Sequence, residues 1–519
     1  MYGLGVTFEP PQFPERFNLA SYFLDDRVSE GRGARKALVV GEESFTYSEV
    51  QGRANRACDA LRHAGVRPEE RVLMLLFDGL PFVETWFGIL KTGAVFCMAN
   101  PLGTAEDLRY LLEYTGCSAV VADVSLTSKL DAVMPYSCRA RFCVGGTADG
   151  WTGWEAALES ASEDVANEDT SRDDIAGWLF TSGTTGKPKG AVHFHRHFAY
   201  STECYAKNVL GLHEDDVFVS VSRLFFGYGT GTNLMFPFVV GGTAVLFPDK
   251  PTPDRLIEHI EAHKVTVLTN VPAMIRQMVD CERDADLSSV RICLSAGEAL
   301  PAELYQRWKA RFPTAEVLDG IGSAEMFHIY ITNRLGDVKL GSLGRIVEGY
   351  EVEIVDGEGN AVGVGERGRL RVRGDSTALC YWGDQDKSRE TFQGEWCTTA
   401  DVFSCDADGY YYYAGRADDM MKVRGQFVSP LEIEDCLATH AAIRECAIIG
   451  TLDADGLTVP KAFVVLRDGF EASEALEQGF KDHCQSHLTR YKFPHAFSYT
   501  DALPRNDRGK VQRRELESR

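Results

Sequence analysis

RVLMLLFDGLPFVETWFGILKTGAVFCMA, from Arg71 to Ala99, decides the fold class. An apolar run (Val72–Phe77) leads past Gly79 into an amphipathic stretch, and a second apolar run closes the unit at Ala94–Ala99. Strands that apolar need burial on both faces, and a helix between them returns the chain for parallel pairing. The cadence continues in EDLRYLLEYTG (106–116) and SAVVAD (118–123). It recurs in RLIEHIEAHK (255–264), VTVLTN (265–270), PAMIRQMVD (272–280) and VRICLSAG (290–297). This predicts an α/β body of mixed and parallel sheets flanked by helices. After Gly341 the texture changes: EVEIVDGEGN (351–360) and RGRLRVRG (367–374) read as strands with D-G and G-N turns, a β-rich section. Beyond Arg416 a helix, two strands and a helix follow: LEIEDCLATH, ECAIIG, KAFVVL and ALEQGFKDHCQSHL. We expect a large N-terminal domain over 1–416 and a small mobile C-terminal α+β domain over 417–519.

The 519 residues exceed what one hydrophobic core organises. Lys and Arg number 54 against 76 Asp and Glu, a net charge of −22. Such a surface repels phosphate backbones and anionic headgroups, so neither nucleic acid nor membrane is expected as a partner. Any phosphate-bearing ligand must be held by locally focused positive groups. No apolar run approaches the length of a membrane span, and MYGLGVTFEPPQFPERF carries no basic n-region with an apolar core. The 14 cysteines are scattered without a C-x-x-C pair, and His193, His195 and His197 have no thiol nearby in the sequence. Reduced thiols in a cytoplasmic chain fit better than disulfides or structural zinc. The acidic run ASEDVANEDTSRDD (161–174) reads as a solvated connector.

The positive pocket that the acidic chain requires is LFTSGTTGKPKG, Leu179 to Gly190. An apolar strand runs into Thr181, Ser182, Gly183, Thr184, Thr185, Gly186 and Lys187, then Pro188, Lys189 and Gly190. Glycines let backbone N–H groups approach an anion, hydroxyls add donors and lysines add charge. A Walker loop is excluded by spacing. Thr181 stands where its first glycine belongs, and Pro188 occupies the Ser/Thr site.

This segment resembles the phosphate loop of the adenylate-forming superfamily: acyl-CoA synthetases, peptide-synthetase adenylation domains and beetle luciferases. The resemblance extends in order along almost the whole chain, and it implies ATP, Mg²⁺ and CoA as the small molecules used. SAGEALP (Ser295–Pro301, with Ala296, Gly297 and Glu298) is similar to the family's adenine-side loop. DGIGSAE (Asp319, Gly320, Ile321, Gly322 through Glu325) is similar to the motif usually read Y-G-x-T-E. Asp401 and Arg416 stand where the family contacts ribose. GRADDMMKVRGQFVSPLEIE (415–434) resembles the hinge, and LPRNDRGKVQRREL (503–516) the C-terminal lysine motif. Two departures are plain. Ile321 replaces a tyrosine, leaving an apolar wall against adenine, and Ala324 replaces a threonine, removing a hydroxyl near the α-phosphate. The resemblance assigns Mg²⁺ to Glu325, with the Thr184 hydroxyl beside it.

Such a reaction brings a carboxylate and a phosphate together, so cations must lie between them. The resemblance gives that role to Lys510. It implies rotation of the small domain about Asp418, after which Lys422 and Gly425 replace Lys510 and admit the pantetheine arm. SRLFFGYGTGT (222–232) lies where the family places the acyl pocket, and the pattern is most similar to benzoate-CoA ligases and substituted-benzoate relatives. The expected pocket is Phe226, Gly227, Tyr228, Ala296, Ile321, Met326 and His328. No acid lies between Ser222 and Pro237, so an amino acid's ammonium would be buried unpaired. Gly227 reads two ways: room for a ring substituent, or a tight backbone turn. The expected activity is an AMP-forming aryl-CoA ligase acting on benzoate or a substituted benzoate, 2-aminobenzoate and hydroxybenzoates among them. Two alternatives stand beside it: an adenylating enzyme that loads a carrier-protein phosphopantetheine, and a degenerate ATP- or acid-binding sensor. A homodimer is left open.

Overall fold

Successive residues of the strand Arg71–Leu75 face different cores. Val72 and Met74 point into the central cluster with Val121, Phe218, Val267 and Leu294, whereas Leu73 and Leu75 pack outward with Leu108, Leu112 and Val120. The same alternation holds across the body: Phe218 and Ala244 face inward, Val219 and Val245 outward onto the helices Pro253–His263 and Pro272–Asp280. The central strands of both sheets are therefore dry on both faces, which is why they read as unbroken apolar runs. The computed structural model describes residues 8–182, 187–423, 426–453, 457–505 and 510–517.

One seven-stranded sheet runs Thr152–Gly153, Ala140–Val144, Ala119–Asp123, Arg71–Leu75, Val95–Met98, Ile175–Ser182 and Pro188–Phe194. Its strands are parallel except for the last pair, which is an antiparallel hairpin. A nine-stranded sheet has a parallel middle that includes Ile292–Ser295 beside Glu316–Gly322, with antiparallel edges. The expected mixed and parallel α/β architecture is present, including the β-rich section. There Glu351–Val355 and Gly368–Arg373 pair antiparallel, and Asp356 turns the chain by accepting the backbone N–H groups of Glu358 and Asn360. The C-terminal part has its own core of Met421, Val428, Ile433, Ile448, Val464 and Phe480. Among the described residues it also contains strands the sequence pattern did not announce: Ala496–Tyr499, paired parallel to Thr458–Leu466, and the antiparallel pair Met421–Val423 and Gln426–Val428. No helix among the described residues is long and apolar enough to cross a membrane.

The acidic run 161–174 is not a free connector. Lys91, almost fully buried, places its Nζ 2.7 Å from each oxygen of Asp25 and 3.1 Å from Asn167 Oδ1. The Glu168 N–H donates to the Lys91 carbonyl, and Thr170 is buried against Phe17. A buried ammonium needs its charge matched and its donors filled, and this segment supplies part of that shell. All 14 cysteines are free thiols.

Gly177 lies beside Phe96 in the parallel register, and a Cβ there would sit 2.2 Å from the Phe96 ring. Gly177→Ala should destabilise the body by about 1–3 kcal/mol through overpacking. A denaturant midpoint unchanged from the parent would contradict this.

Candidate active site

The loop-bearing strand Ile175–Ser182 pairs antiparallel with Pro188–Phe194, Thr181 opposite Lys189 and Ser182 opposite Pro188. The phosphate-loop sequence therefore connects two strands, where a Walker loop would open a helix. Gly183, Thr184, Thr185 and Gly186 lie outside the described residues. The base of the hairpin is clamped by two tyrosines: Tyr110 Oη donates to the Pro188 carbonyl (2.8 Å), and the Gly190 N–H donates to Tyr114 Oη (3.1 Å). Lys187 is exposed, its ammonium 5.1 Å from the Tyr110 ring centre. Lys189 is held by Asp384 at 2.8 Å.

The elements expected on the adenine side meet through strand pairing. Ser295 is directly opposite Asp319, and its hydroxyl donates to Asp319 Oδ1 at 2.7 Å. Burial pushes the Asp319 carboxyl up to about 7, against the lowering effect of the Ser295 hydrogen bond. Gly297 adopts φ +96°, a left-handed conformation that favours glycine. Gly320 and Gly322 oppose Thr332 and Ile329, so close that a Cβ on either would strike that strand's backbone. Ile321, between them, is partly buried against the central core.

Glu325 sits in the short turn Ala324–Met326. Tyr381 Oη donates to its Oε1 at 2.6 Å, and its backbone carbonyl accepts the Ala378 N–H at 2.7 Å. His193 Nε2 donates to the Ala324 carbonyl at 2.7 Å and so fixes the other side of the turn. The three histidines of HFHRH are buried, and burial lowers their pKa values, to about 4 for His193 and about 3 for His195. They are neutral structural groups.

Asp401 and Arg416 face each other across adjacent strands. Burial raises the Asp401 carboxyl's pKa, and Arg416 and Lys510 oppose that rise, while nearby Glu325 adds to it. Tyr413 Oη lies 3.4 Å from Asp401 Oδ1. Arg416 Nε also contacts Asp418 at 3.2 Å, and Asp418 and Asp419 lie in a turn rather than at a helix N-terminus.

Lys510 comes from the small domain yet lies against the adenine-side loop: a Cβ on Gly297 would stand 3.9 Å from its Cε. Its charge is felt by both Glu298 and Asp401. Glu298, expected beside the nucleotide, is engaged by Arg505 at 3.1 Å, and Arg505 also binds Glu445 of the small domain at 2.6 Å. Lys422 is not brought to this place. It is exposed on the strand Met421–Val423, and its side chain makes no hydrogen bond or ion pair with the described residues. Gly425 lies outside the described residues.

Around the expected acyl pocket, Phe226 precedes the helix Gly227–Thr230, and Ala296 and Met326 are buried. The Ser376 hydroxyl donates to the Met326 carbonyl at 2.9 Å. His328 is ringed by Tyr205, Tyr228, Phe236 and Phe327, with centroids 5.7, 5.5, 4.8 and 5.4 Å away. Burial holds its imidazole neutral, lowered to about 3, despite the Tyr228 carbonyl 3.4 Å from Nε2. His328 Nδ1 and Tyr228 Oη are both buried without a hydrogen-bond partner among the described residues. Tyr381, Arg505 and Tyr413 were not singled out in the sequence. Only Arg505 carried a signal, in the basic run before Lys510.

Residues 25–382 match the AMP-binding enzyme family and residues 432–510 the AMP-binding enzyme C-terminal domain. The chain is 39% identical over 528 residues to the benzoate–CoA ligase of Thauera aromatica, covering 100% of each. It is similar to the solved structure of the anthranilate CoA ligase AuaEII in complex with anthranoyl-AMP, with a TM-score of 0.93, 37% identity and 98% of each chain covered. A benzoate CoA ligase from Burkholderia xenovorans LB400 aligns with a TM-score of 0.89 at 39% identity, over 96% of this chain and 99% of that one.

Asp319 yields a pH prediction. Its folded pKa, about 7, lies above its ordinary 3.8, so the folded state keeps a proton that the unfolded state releases. That contribution to stability is full below 3.8 and is lost as pH rises through about 7. Asp319→Asn stays neutral, so the parent's thermal midpoint should fall relative to the variant's between about pH 4 and about pH 8. A constant difference across that range would refute it.

Proposed function

The chain belongs to the AMP-binding enzyme family, and from that premise we propose that it is an ATP-dependent aryl-CoA ligase. It converts an aromatic carboxylate and ATP to an aryl-adenylate and pyrophosphate, then passes the aryl group to CoA with release of AMP. The observation that carries this reading is Lys510, delivered from the small domain against Gly297 within electrostatic reach of Asp401 and Glu298. A carboxylate oxygen attacking an α-phosphate meets like charge. A compact ammonium on a flexible stem can lie between the two oxyanions and stabilise charge as it shifts. In this reading Thr181, Ser182 and the 183–187 loop hold the outer phosphates. Ser295, Ala296, Gly297 and 319–322 bound the adenine, and Asp401 with Arg416 binds the ribose.

Mg²⁺ fits the donors, since Glu325 offers a hard carboxylate whose Oε1 is already oriented by Tyr381, and the phosphates supply further oxygens. Bound there with the Thr184 hydroxyl, the ion would neutralise phosphate charge. For the second half-reaction, 417–519 moves as a unit about Asp418, withdrawing Lys510 and presenting Lys422 and Gly425 to CoA. The free thiols fit a cytoplasmic enzyme.

The substrate is a benzoate carrying a small polar group, amino or hydroxyl. Tyr228 Oη and His328 Nδ1 are buried and unpaired, and an orphaned polar atom costs stability that a ligand's hydrogen bond would relieve. The neutral imidazole can donate or accept, so it accommodates either substituent.

Lys510→Ala should lower ATP- and arylate-dependent pyrophosphate release by about 10²–10³-fold, the scale of one lost electrostatic contact to the transition state. Thioester formation from a supplied aryl-adenylate should be largely preserved. Equal loss in both half-reactions would defeat the division between Lys510 and Lys422. Tyr228→Phe should reduce kcat/KM for 2-amino- or hydroxybenzoate about fivefold, one hydrogen bond's worth, with benzoate nearly unaffected. A parallel change for all three acids would remove the polar-substituent assignment.

A further inference from the structure

Away from the nucleotide site, the small domain gathers a different set of donors. Cys436 lies on the helix Pro430–Ala438, and His483 and His487 lie one turn apart on the helix Glu474–His487. The Cys436 sulfur and one ring nitrogen of each histidine all lie within 4.8 Å of one another, the one such trio found among the described residues. We propose that Cys436, His483 and His487 form a transition-metal site that binds Zn²⁺ and ties these two helices together.

The geometry needs little adjustment. In a tetrahedral zinc site with bonds of about 2.0–2.3 Å, neighbouring donor atoms lie about 3.3–3.6 Å apart. Closing from the present spacing takes side-chain rotation, and i,i+4 histidines already share a helix face. Each ring is oriented by its surroundings. His487 Nδ1 donates to the His483 carbonyl at 2.8 Å, which leaves Nε2 to face the ion, the usual second contact of a zinc-bound imidazole. His483 Nε2 lies 2.8 Å from Thr439 Oγ1 and 3.0 Å from the Cys436 carbonyl, pinning that ring beside the sulfur-bearing helix.

Donor chemistry selects the ion. One thiolate and two imidazoles suit Zn²⁺ and its borderline-soft neighbours rather than Mg²⁺, so this site and the oxygen donors around Glu325 would not compete. On binding, the Cys436 S–H proton passes to solvent and the sulfur electron pair goes to the metal. Three protein ligands leave the fourth position to water, and the exposed His487 gives an entry path. The site contains neither Lys510 nor Lys422, so the ion would brace the small domain without entering the chemistry.

Tag-free, chelator-stripped full chain titrated with Co²⁺ tests this. One equivalent should produce the visible bands of a tetrahedral site with a near-ultraviolet thiolate-to-cobalt band, and Zn²⁺ should abolish both. Cys436→Ser should remove the thiolate band, while Cys281→Ser should keep it. His487→Ala alters an exposed side chain, so folding is spared. It should weaken Co²⁺ binding at least about tenfold and erase the rise in thermal midpoint that Zn²⁺ gives the parent. Absence of the thiolate band, its survival in Cys436→Ser, or unchanged affinity in His487→Ala would each overturn the site.

Discussion

Arg505 is the contact on which the candidate site depends. Five residues before Lys510, it holds Glu298 of the large body at 3.1 Å and Glu445 of the small domain at 2.6 Å, so one guanidinium fixes where the small domain sets down its lysine. Two further links across this boundary among the described residues are also polar: Arg276 donates to the Arg444 carbonyl, and Arg367 lies 3.4 Å from Glu432. Partly exposed ion pairs of this kind contribute about 1 kcal/mol or less each. An interface built from them is strong enough to define a position and weak enough to leave it. The proposed reaction, in two stages with different cations, requires that balance.

The same economy governs charge within the site. The chain carries −22 overall, yet Glu298 and Asp401 both lie within electrostatic reach of Lys510, with Glu325 near Asp401. Burial raises the Glu298 and Asp401 carboxyls, and each is countered by an arginine, Arg505 or Arg416, as well as by Lys510. Withdrawing Lys510, as proposed, would leave two partly buried carboxylates less compensated. A nucleotide bound through its ribose to Asp401, or an incoming cation such as Lys422, would restore part of what is lost. On the proposed reading, the electrostatics would couple nucleotide occupancy to the position of the small domain.

Much of this was legible in the sequence, because the decisive features are local. Arg71–Leu75 and Val95–Met98 are strands since alternate residues enter two different cores, and the apolar runs at 72–77 and 94–99 record that directly. Pro188 argued against a helix after the glycine- and hydroxyl-rich segment, and the chain continues there as a strand. What escaped was set by distant partners. The strand Ala496–Tyr499 is short and half-exposed, so it lacks the apolar run that marks its neighbours. The acidic run at 161–174 is tied down by buried Lys91, 70 positions or more away, an ammonium whose need for partners no local pattern displays. Tyr381 orients Glu325 from 56 residues downstream, and nothing in its own neighbourhood marks it.

The glycines of the acyl-pocket segment show how structure separates readings that the sequence left level. Gly227 could have been a backbone requirement or a space requirement. It sits in a helix without the left-handed conformation that excludes other residues, and a Cβ there would meet only the Leu179 side chain at 3.4 Å, an ordinary contact. The backbone does not demand glycine at this position, so the space reading remains. Gly231 is the opposite case: a Cβ there would stand 2.4 Å from the His328 ring. The glycine that the fold requires is the one that lets a neutral histidine lie beside Tyr228, and the optional one enlarges the room next to Leu179. On the proposed reading, a polar floor fixed by packing and room beside Gly227 would favour a ring bearing one small polar group over an unsubstituted ring.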